Sequence, residues 1–430
     1  VVNDKVVFPC LKIDGSDESS EPWVTDGTAA GTKQIRDIFP GEPGSQLGDL
    51  YPGNNRVVMP SNDGNSGLEP WTSDGTDINL LTDFNPGEAS SFDSGIGIAG
   101  IISSSGVSTT ASVLHLRRGR RVYGVLTDGV THSEIFDDSD SSITLDSAPS
   151  DFTQLGDNLI FAATDPKKGN ELFISNGTKS GTRLLKNIAK AASSFSDDLT
   201  VLSRRNIMLF TATTRERGSE LWVTNGTRRG TKLLKEIQAG VPSGVENIFP
   251  EIHRNKVYLV GYDGTSGREL WVTNGRARGT KLVRDIAPGS VNSNPSDFIS
   301  FRGKGYFQAD DGTNGSELWM ISGSSATLFQ DINPGASGSS PRNFAKMGNL
   351  MFFVADDGTH GPELWATDGT STRLVKDIYP GASGSYPGRL TVSGNRLFFR
   401  ADDGVNGEEL WISDGTEAGT RLLADIYPGA

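Results

Sequence analysis

The sequence predicts an all-β fold, a β-propeller of about nine four-stranded antiparallel blades, and three observations carry that expectation. Glu-Leu-Trp-x-x-Asp-Gly-Thr, or a worn copy of it, returns about every 48 residues along the whole chain, a period that marks stacked supersecondary units. Glycine is very frequent (53 residues) and hydrophobic content modest (35%), which suits short strands between tight turns. No helix-length amphipathic stretch survives the glycine and proline punctuation.

Aligned on the tryptophan position, the units centre on Trp23, Trp71, Val125, Phe173, Trp222, Trp271, Trp319, Trp365 and Trp411. They divide the chain approximately into 1–41, 42–87, 88–146, 147–191, 192–240, 241–289, 290–335, 336–381 and 382–430, expected as one closed propeller. The last unit gives the order of elements. Arg389 to Val392 is a first strand, ended by the tight-turn pair Gly394-Asn395. Leu397 to Ala401 is a second, closed by Asp402-Asp403-Gly404 and Gly407. Glu409 to Ser413 is a third, turned by Asp414-Gly415-Thr416, and Thr420 to Ile426 a fourth, ended by Pro428-Gly429. Adjacent apolar pairs such as Phe398-Phe399, Leu410-Trp411 and Leu422-Leu423 point to opposite faces, so both faces of the sheet must be covered. A meander buried on both faces and repeated along the chain is a propeller blade.

With these motifs the chain resembles the ELWxxDGT-repeat proteins, secreted or surface proteins often predicted to be propellers. The likeness is sharpest at Glu269-Leu270-Trp271, Glu317-Leu318-Trp319, Glu363-Leu364-Trp365 and Glu409-Leu410-Trp411, and weakest at Val125 to Gly129, where only the Asp128-Gly129 turn persists. It implies an extracellular, structural or adhesive role and brings no catalytic residues with it.

Composition narrows the classes further. A net charge of −13 argues against nucleic acid, whose binding rests on clustered Lys and Arg. The single cysteine, Cys10, excludes a disulfide framework within the chain and is read as a core thiol. No apolar run approaches the roughly 20 residues needed to span a bilayer. The start at Val1 without a signal peptide reads as a mature or trimmed segment.

In a blade, second-to-third-strand loops share one face with the blade connections, which places Asp310, Asp311, Asp356, Asp357, Asp402 and Asp403 together there. Two readings compete for them. Aspartate in a turn bonds nearby backbone N–H groups; several carboxylates together also suit Ca²⁺, which takes oxygen ligands at about 2.3–2.6 Å. The Asp-Gly-Thr-x-x-Gly-Thr turn is like the Asp-box hairpins of sialidase-type propellers, and its presence in nearly every unit makes it scaffold. The four histidines have no ligand spacing, no nucleophile elbow or phosphate loop occurs, and carboxylate pairs are too plentiful to single out a glycosidase pair. The tryptophans read as blade core rather than sugar platforms.

Departures from the repeat are the remaining signal. Arg117, Arg118, Arg120 and Arg121, Lys167 and Lys168, and Arg215 and Arg217 replace the acidic loop in the third to fifth units, making one side basic against an acidic opposite side. That dipole suits head-to-tail self-association into a homo-oligomer or filament. Asn176, Asn225 and Asn314 head glycosylation sequons. The expectation is therefore a non-enzymatic extracellular propeller, structural, adhesive and self-assembling. A carbohydrate-binding propeller is the alternative, and a glycan-active hydrolase comes third.

Overall fold

Each repeat folds into one antiparallel sheet. The computed structural model describes the chain from Val2 to Ile426 except residues 15–16, 41–44, 46, 48–49, 54–55, 67, 81–100, 104–111, 119–120, 127–131, 138–149, 166, 177–180, 191–192 and 195–196. Among the described residues there are nine sheets, eight of four strands and the first of three, and within each the strands lie side by side in chain order. The only helical turns described are two short 3-10 pieces, Ser203–Arg205 and Ala277–Gly279. The chain is thus all-β, built of meanders of the propeller-blade kind.

It divides into two compact units, Val1–Ser194 and Phe195–Ala430. The first holds four sheets: Val6–Asp14, Asp17–Thr25 and Lys33–Gln34; Tyr51–Gly53, Arg56–Asn62, Leu68–Ser73 and Ile78–Leu80; Ile101–Ser103, Ser112–Arg118, Arg121–Leu126 and His132–Asp137; and Ser150–Leu155, Asn158–Asp165, Gly169–Ser175 and Arg183–Lys186. The second holds five. Sheet five is Asp197–Leu202, Ile207–Thr214, Gly218–Thr224 and Lys232–Lys235; sheet six is Val245–Ile248, Val257–Tyr262, Arg268–Thr273 and Lys281–Leu282. Sheet seven is Ser296–Phe301, Lys304–Asp310, Ser316–Ser322 and Ser325–Gln330; sheet eight is Arg342–Met347, Leu350–Asp356, Pro362–Thr367 and Thr372–Lys376; sheet nine is Gly388–Ser393, Arg396–Asp402, Glu408–Ser413 and Arg421–Ala424.

Strand alternation gives each letter of Glu-Leu-Trp its own task. Leu270 packs in a cluster with Phe298, Phe307 and Trp319 of the following sheet, whereas its neighbour Trp271 packs with Leu209, Leu221 and Val223 of the preceding one. Leu364 and Trp411 repeat the pattern between sheets eight and nine. Within each unit the core therefore lies as slices between neighbouring sheets. Trp71, Trp222, Trp271, Trp319 and Trp411 are all buried, and each leaves its Nε1 without a hydrogen-bond partner among the described atoms, so apolar area is what they contribute. Cys10 is half-buried in the first strand, opposite Glu21.

The third-to-fourth-strand turn is tied by side chains. Asp414 Oδ1 accepts from Thr416 N (2.8 Å) and Thr416 Oγ1 (2.7 Å), Gly419 N donates to Thr416 Oγ1 (3.0 Å), and Ser413 Oγ meets Thr420 Oγ1 at 2.8 Å. A Cβ on Gly419 would lie 2.1 Å from Asp414 Oδ1, which explains the second glycine of the motif.

Candidate functional site

The glutamate of the motif is the residue whose role the sequence left unread. Glu21, Glu69, Glu171, Glu220, Glu269, Glu317, Glu363 and Glu409 are all buried. Among the described residues, the carboxylates of all but Glu69 accept from the backbone just after the last strand of their own repeat. Glu317 accepts from Ile332 N (2.9 Å), Asn333 N (3.1 Å) and Ser339 Oγ (2.6 Å); Glu269 accepts from Ile286 N (2.9 Å) and Ser293 Oγ (2.7 Å); Glu363 accepts from Tyr379 N (3.0 Å) and Ser385 Oγ (2.6 Å). A buried carboxylate persists only with such donors. Burial pushes the pKa of Glu21, Glu171, Glu269, Glu317 and Glu363 above the ordinary glutamate value, against the pull of these bonds. A charged residue fixed before two core residues, 22–24 positions ahead of a serine, was the signal available in the sequence.

Glu220 breaks the pattern. It accepts from Ile237 N (2.7 Å) and Gln238 N (3.2 Å), but the serine position of its connection is Gly244, which has no hydroxyl to donate. Burial, helped by repulsion from Glu236, pushes its pKa up to about 7. Its carboxylate fills the space a side chain would take, since a Cβ on Gly244 would lie 2.5 Å from Glu220 Oε1.

Directly over Gly244, between sheets five and six, lies an open cleft of about 670 Å³ lined by Ser219, Ser243, Gly244, Val245, Glu246, Gly261, Tyr262, Arg268, Ser290 and Asn292. Gly261 and Tyr262 stand where sheet seven has Ala309 and Asp310, so three departures from the repeat meet here. A Cβ on Gly261 would come within 2.7 Å of Trp271 Cδ1. The walls are fixed by Ser219 N donating to Ser243 Oγ (3.0 Å), Tyr262 N to Gly244 O (2.9 Å) and Arg268 N to Asn292 Oδ1 (2.8 Å). Arg268 Nε pairs with Glu246 Oε2 at 2.9 Å, with both side chains about half exposed, so the pair is free to exchange partners at little cost. On the connections beside the lining residues, Val241 and Val291 are 69% and 53% exposed, where the last two connections carry Ala336 and Ala382 at the level of Val241 and Ser337 and Ser383 at the level of Val291.

The residues singled out from sequence are dispersed. Asp311, Asp357 and Asp403 each take two backbone N–H groups on Oδ1 and a side chain on Oδ2, from Asn314, His360 and Asn406. Asp310, Asp356 and Asp402 each accept one glycine N–H at 2.7 Å. Among the described residues no three acidic, histidine or cysteine side chains converge on a metal position. Asn225 Oδ1 accepts from Thr227 Oγ1 (2.7 Å) on an exposed turn, Asn176 is exposed, and Asn314 Nδ2 donates to Asp311 Oδ2 (2.9 Å). Arg117, Arg118 and Arg121 lie where two paired strands of the third sheet meet, in register Arg121 to Arg118, and Arg120 lies outside the described residues. Lys168 is paired with Asp165 (2.8 Å) and Arg217 with Glu236 (3.3 Å), while Lys167 and Arg215 are exposed.

No family model and no curated protein matches the chain. Solved structures do. The chain is similar to a puromycin-hydrolyzing peptidase of Mycobacterium tuberculosis, at 10% identity and a TM-score of 0.45, covering 93% of this chain and 55% of that one. It is similar to a puromycin hydrolase at 13% identity and a TM-score of 0.43, covering 94% and 56%, and to a prolyl endopeptidase at 9% identity and a TM-score of 0.46, covering 88% and 49%. The chain spans about half the length of these structures. Each of them is a peptidase or hydrolase by name, and against them the expectation of a non-enzymatic, structural, adhesive and self-assembling protein is withdrawn, filament formation with it. At such identities and TM-scores their own activities are not carried over to this chain.

Proposed function

We propose that the chain recognises an extended peptide in the cleft between sheets five and six. The observation that carries this reading is the meeting of three departures from the repeat, Gly244, Gly261 and Tyr262, at one open cleft. Nine near-copies of one scaffold need no such cluster of exceptions, and a recognition site is built once. The lining offers hydroxyls, an amide, a phenol and an exchangeable ion pair to a peptide backbone, and the exposed Val241 and Val291 offer apolar contact to its side chains. Each of the nine repeat units is, in this proposal, one propeller blade, and the chain is a member of the ELWxxDGT-repeat proteins.

The test is to pan a random dodecapeptide library on the protein and measure selected synthetic peptides by fluorescence anisotropy. Arg268→Glu, which sets two acids side by side at the cleft, weakens them at least about tenfold. Failure to enrich any peptide, or equal binding by the variant, removes the reading.

A further inference from the structure

The second unit carries another pocket, at the opposite strand ends and sharing no residue with the cleft. The turns joining first and second strands are basic: Arg204 and Arg205 in sheet five, Arg254 and Lys256 in sheet six, Arg302 and Lys304 in sheet seven. The first strands of sheets five and six touch, which brings the first two of these turns side by side. Most of these cations are spent on the fold. Arg205 Nη1 donates to Asn274 O (2.7 Å), Arg302 Nη1 to Asp368 O (2.8 Å) and Lys304 Nζ to Gly369 O (3.3 Å), latching each turn to the following sheet.

Arg204 is different. Among the described residues it makes no hydrogen bond or ion pair, and it is exposed. It lines a cavity of about 440 Å³ together with Ser203, Ile252, Arg254 and Asn255. Arg254 donates one Nη2 bond, to Gly303 O at 2.6 Å, which leaves most of its five N–H groups unused. Glu251, the acid of this turn, is already paired with Lys346 Nζ at 2.9 Å. Ile252 is 38% exposed and adds an apolar wall. The next residue, the buried His253, with Nδ1 2.8 Å from Ser300 Oγ, is held below the usual imidazole pKa by burial and by Arg254 and Lys256, which favours its neutral form, so the positive charge of the pocket comes from the two arginines.

We propose that this pocket binds a carboxylate carried on an apolar body, the carboxylate held by the Arg204 and Arg254 guanidinium groups and the apolar part against Ile252. Planar guanidinium forks match a carboxylate's two oxygens, and Ser203 and Asn255 supply further donors at the same wall. Two sources present this chemistry, a free aliphatic acid and the C-terminus of a peptide.

Isothermal titration of the full chain with N-acetyl-leucine, hexanoate, N-acetyl-leucinamide and inorganic phosphate tests the assignment. At least one of the two carboxylates binds, and the amide binds at least about tenfold more weakly. Preference for N-acetyl-leucine identifies a peptide end, and preference for hexanoate a free acid. Arg204→Ala weakens binding at least about tenfold with an unchanged melting temperature, because it holds nothing else in place. Arg205→Ala, which loses the Asn274 latch, lowers the melting temperature and keeps the affinity. The proposal is overturned if neither carboxylate binds at about 10 mM. It is equally overturned if the amide or phosphate binds as tightly as the acids, or if Arg204→Ala binds like the unaltered chain.

Discussion

Glu220 and Gly244 form a pair in which the carboxylate has moved into room that a serine occupies elsewhere. Ser293, Ser339 and Ser385 stand at the same point of their connections and are all buried, each donating its hydroxyl to the glutamate. Restoring only a Cβ at Gly244 brings it within 2.5 Å of Gln238 N and of Glu220 Oε1. Gly244→Ala therefore destabilises by about 1–3 kcal/mol through overpacking, read as a lower denaturant midpoint at unchanged slope. The serine position was readable in the sequence once its partner was known. The partner was not: a glutamate in a strand reads as a surface residue, and only the backbone donors of the connection show why it is buried.

At the scale of the element, the second-to-third-strand loop is held by its own aspartate. Asp403 Oδ1 accepts from Val405 N (2.9 Å) and Asn406 N (2.8 Å), and Oδ2 from Asn406 Nδ2 (2.7 Å). Burial is the largest single influence and pushes its pKa up, but these bonds together outweigh it and hold the carboxyl below the ordinary aspartate value. Asp403→Ala leaves two turn N–H groups to solvent and costs about 1–2 kcal/mol, measured by thermal or urea unfolding. Strands and turns were the legible part of this chain. Leu397 to Ala401 was expected as a second strand and the structure has Arg396–Asp402; Glu409 to Ser413 was expected as a third and the structure has Glu408–Ser413. Short apolar runs bounded by Gly-Asn or Asp-Gly turns fix such elements locally. The cleft was not legible, because Gly244 is far along the chain from the neighbours Gly261 and Tyr262, and only the register of sheet six, with Val245 opposite Gly261 and Tyr262 N bonded to Gly244 O, brings them to one place.

Across the molecule, two sets of carboxyls titrate in opposite senses. Glu21, Glu171, Glu220, Glu269, Glu317 and Glu363 have pKa values raised by burial from 4.5, Glu220 to about 7. The folded chain keeps these protons where the unfolded chain has lost them, so their contribution is complete below 4.5 and is lost as the pH rises, for Glu220 through about 7. For Glu220 alone this amounts to about 3 kcal/mol between the two limits. Asp74, whose pKa the Thr76 hydroxyl lowers from 3.8 to about 2, acts the other way: its contribution is present above 3.8 and lost as the pH falls through about 2. The melting temperature is expected to be highest in mildly acidic buffer and to fall between about pH 5 and 8, and Glu220→Gln flattens the upper part of that fall. An unchanged slope in the variant places the titrating group elsewhere. Charge also divides within the second unit in a way that counting along the chain hid. The acidic loops, such as Asp402-Asp403, end the second strands, and the basic turns, such as Arg302 to Lys304, begin them.

Recognition in the cleft between sheets five and six is tested most directly by amide hydrogen exchange on the full chain, with and without a panned peptide. The cleft reading predicts slower exchange concentrated at residues 243–246, 261–268 and 290–292, lost in Arg268→Glu. Protection confined to other segments, or the same protection in the variant, would contradict it.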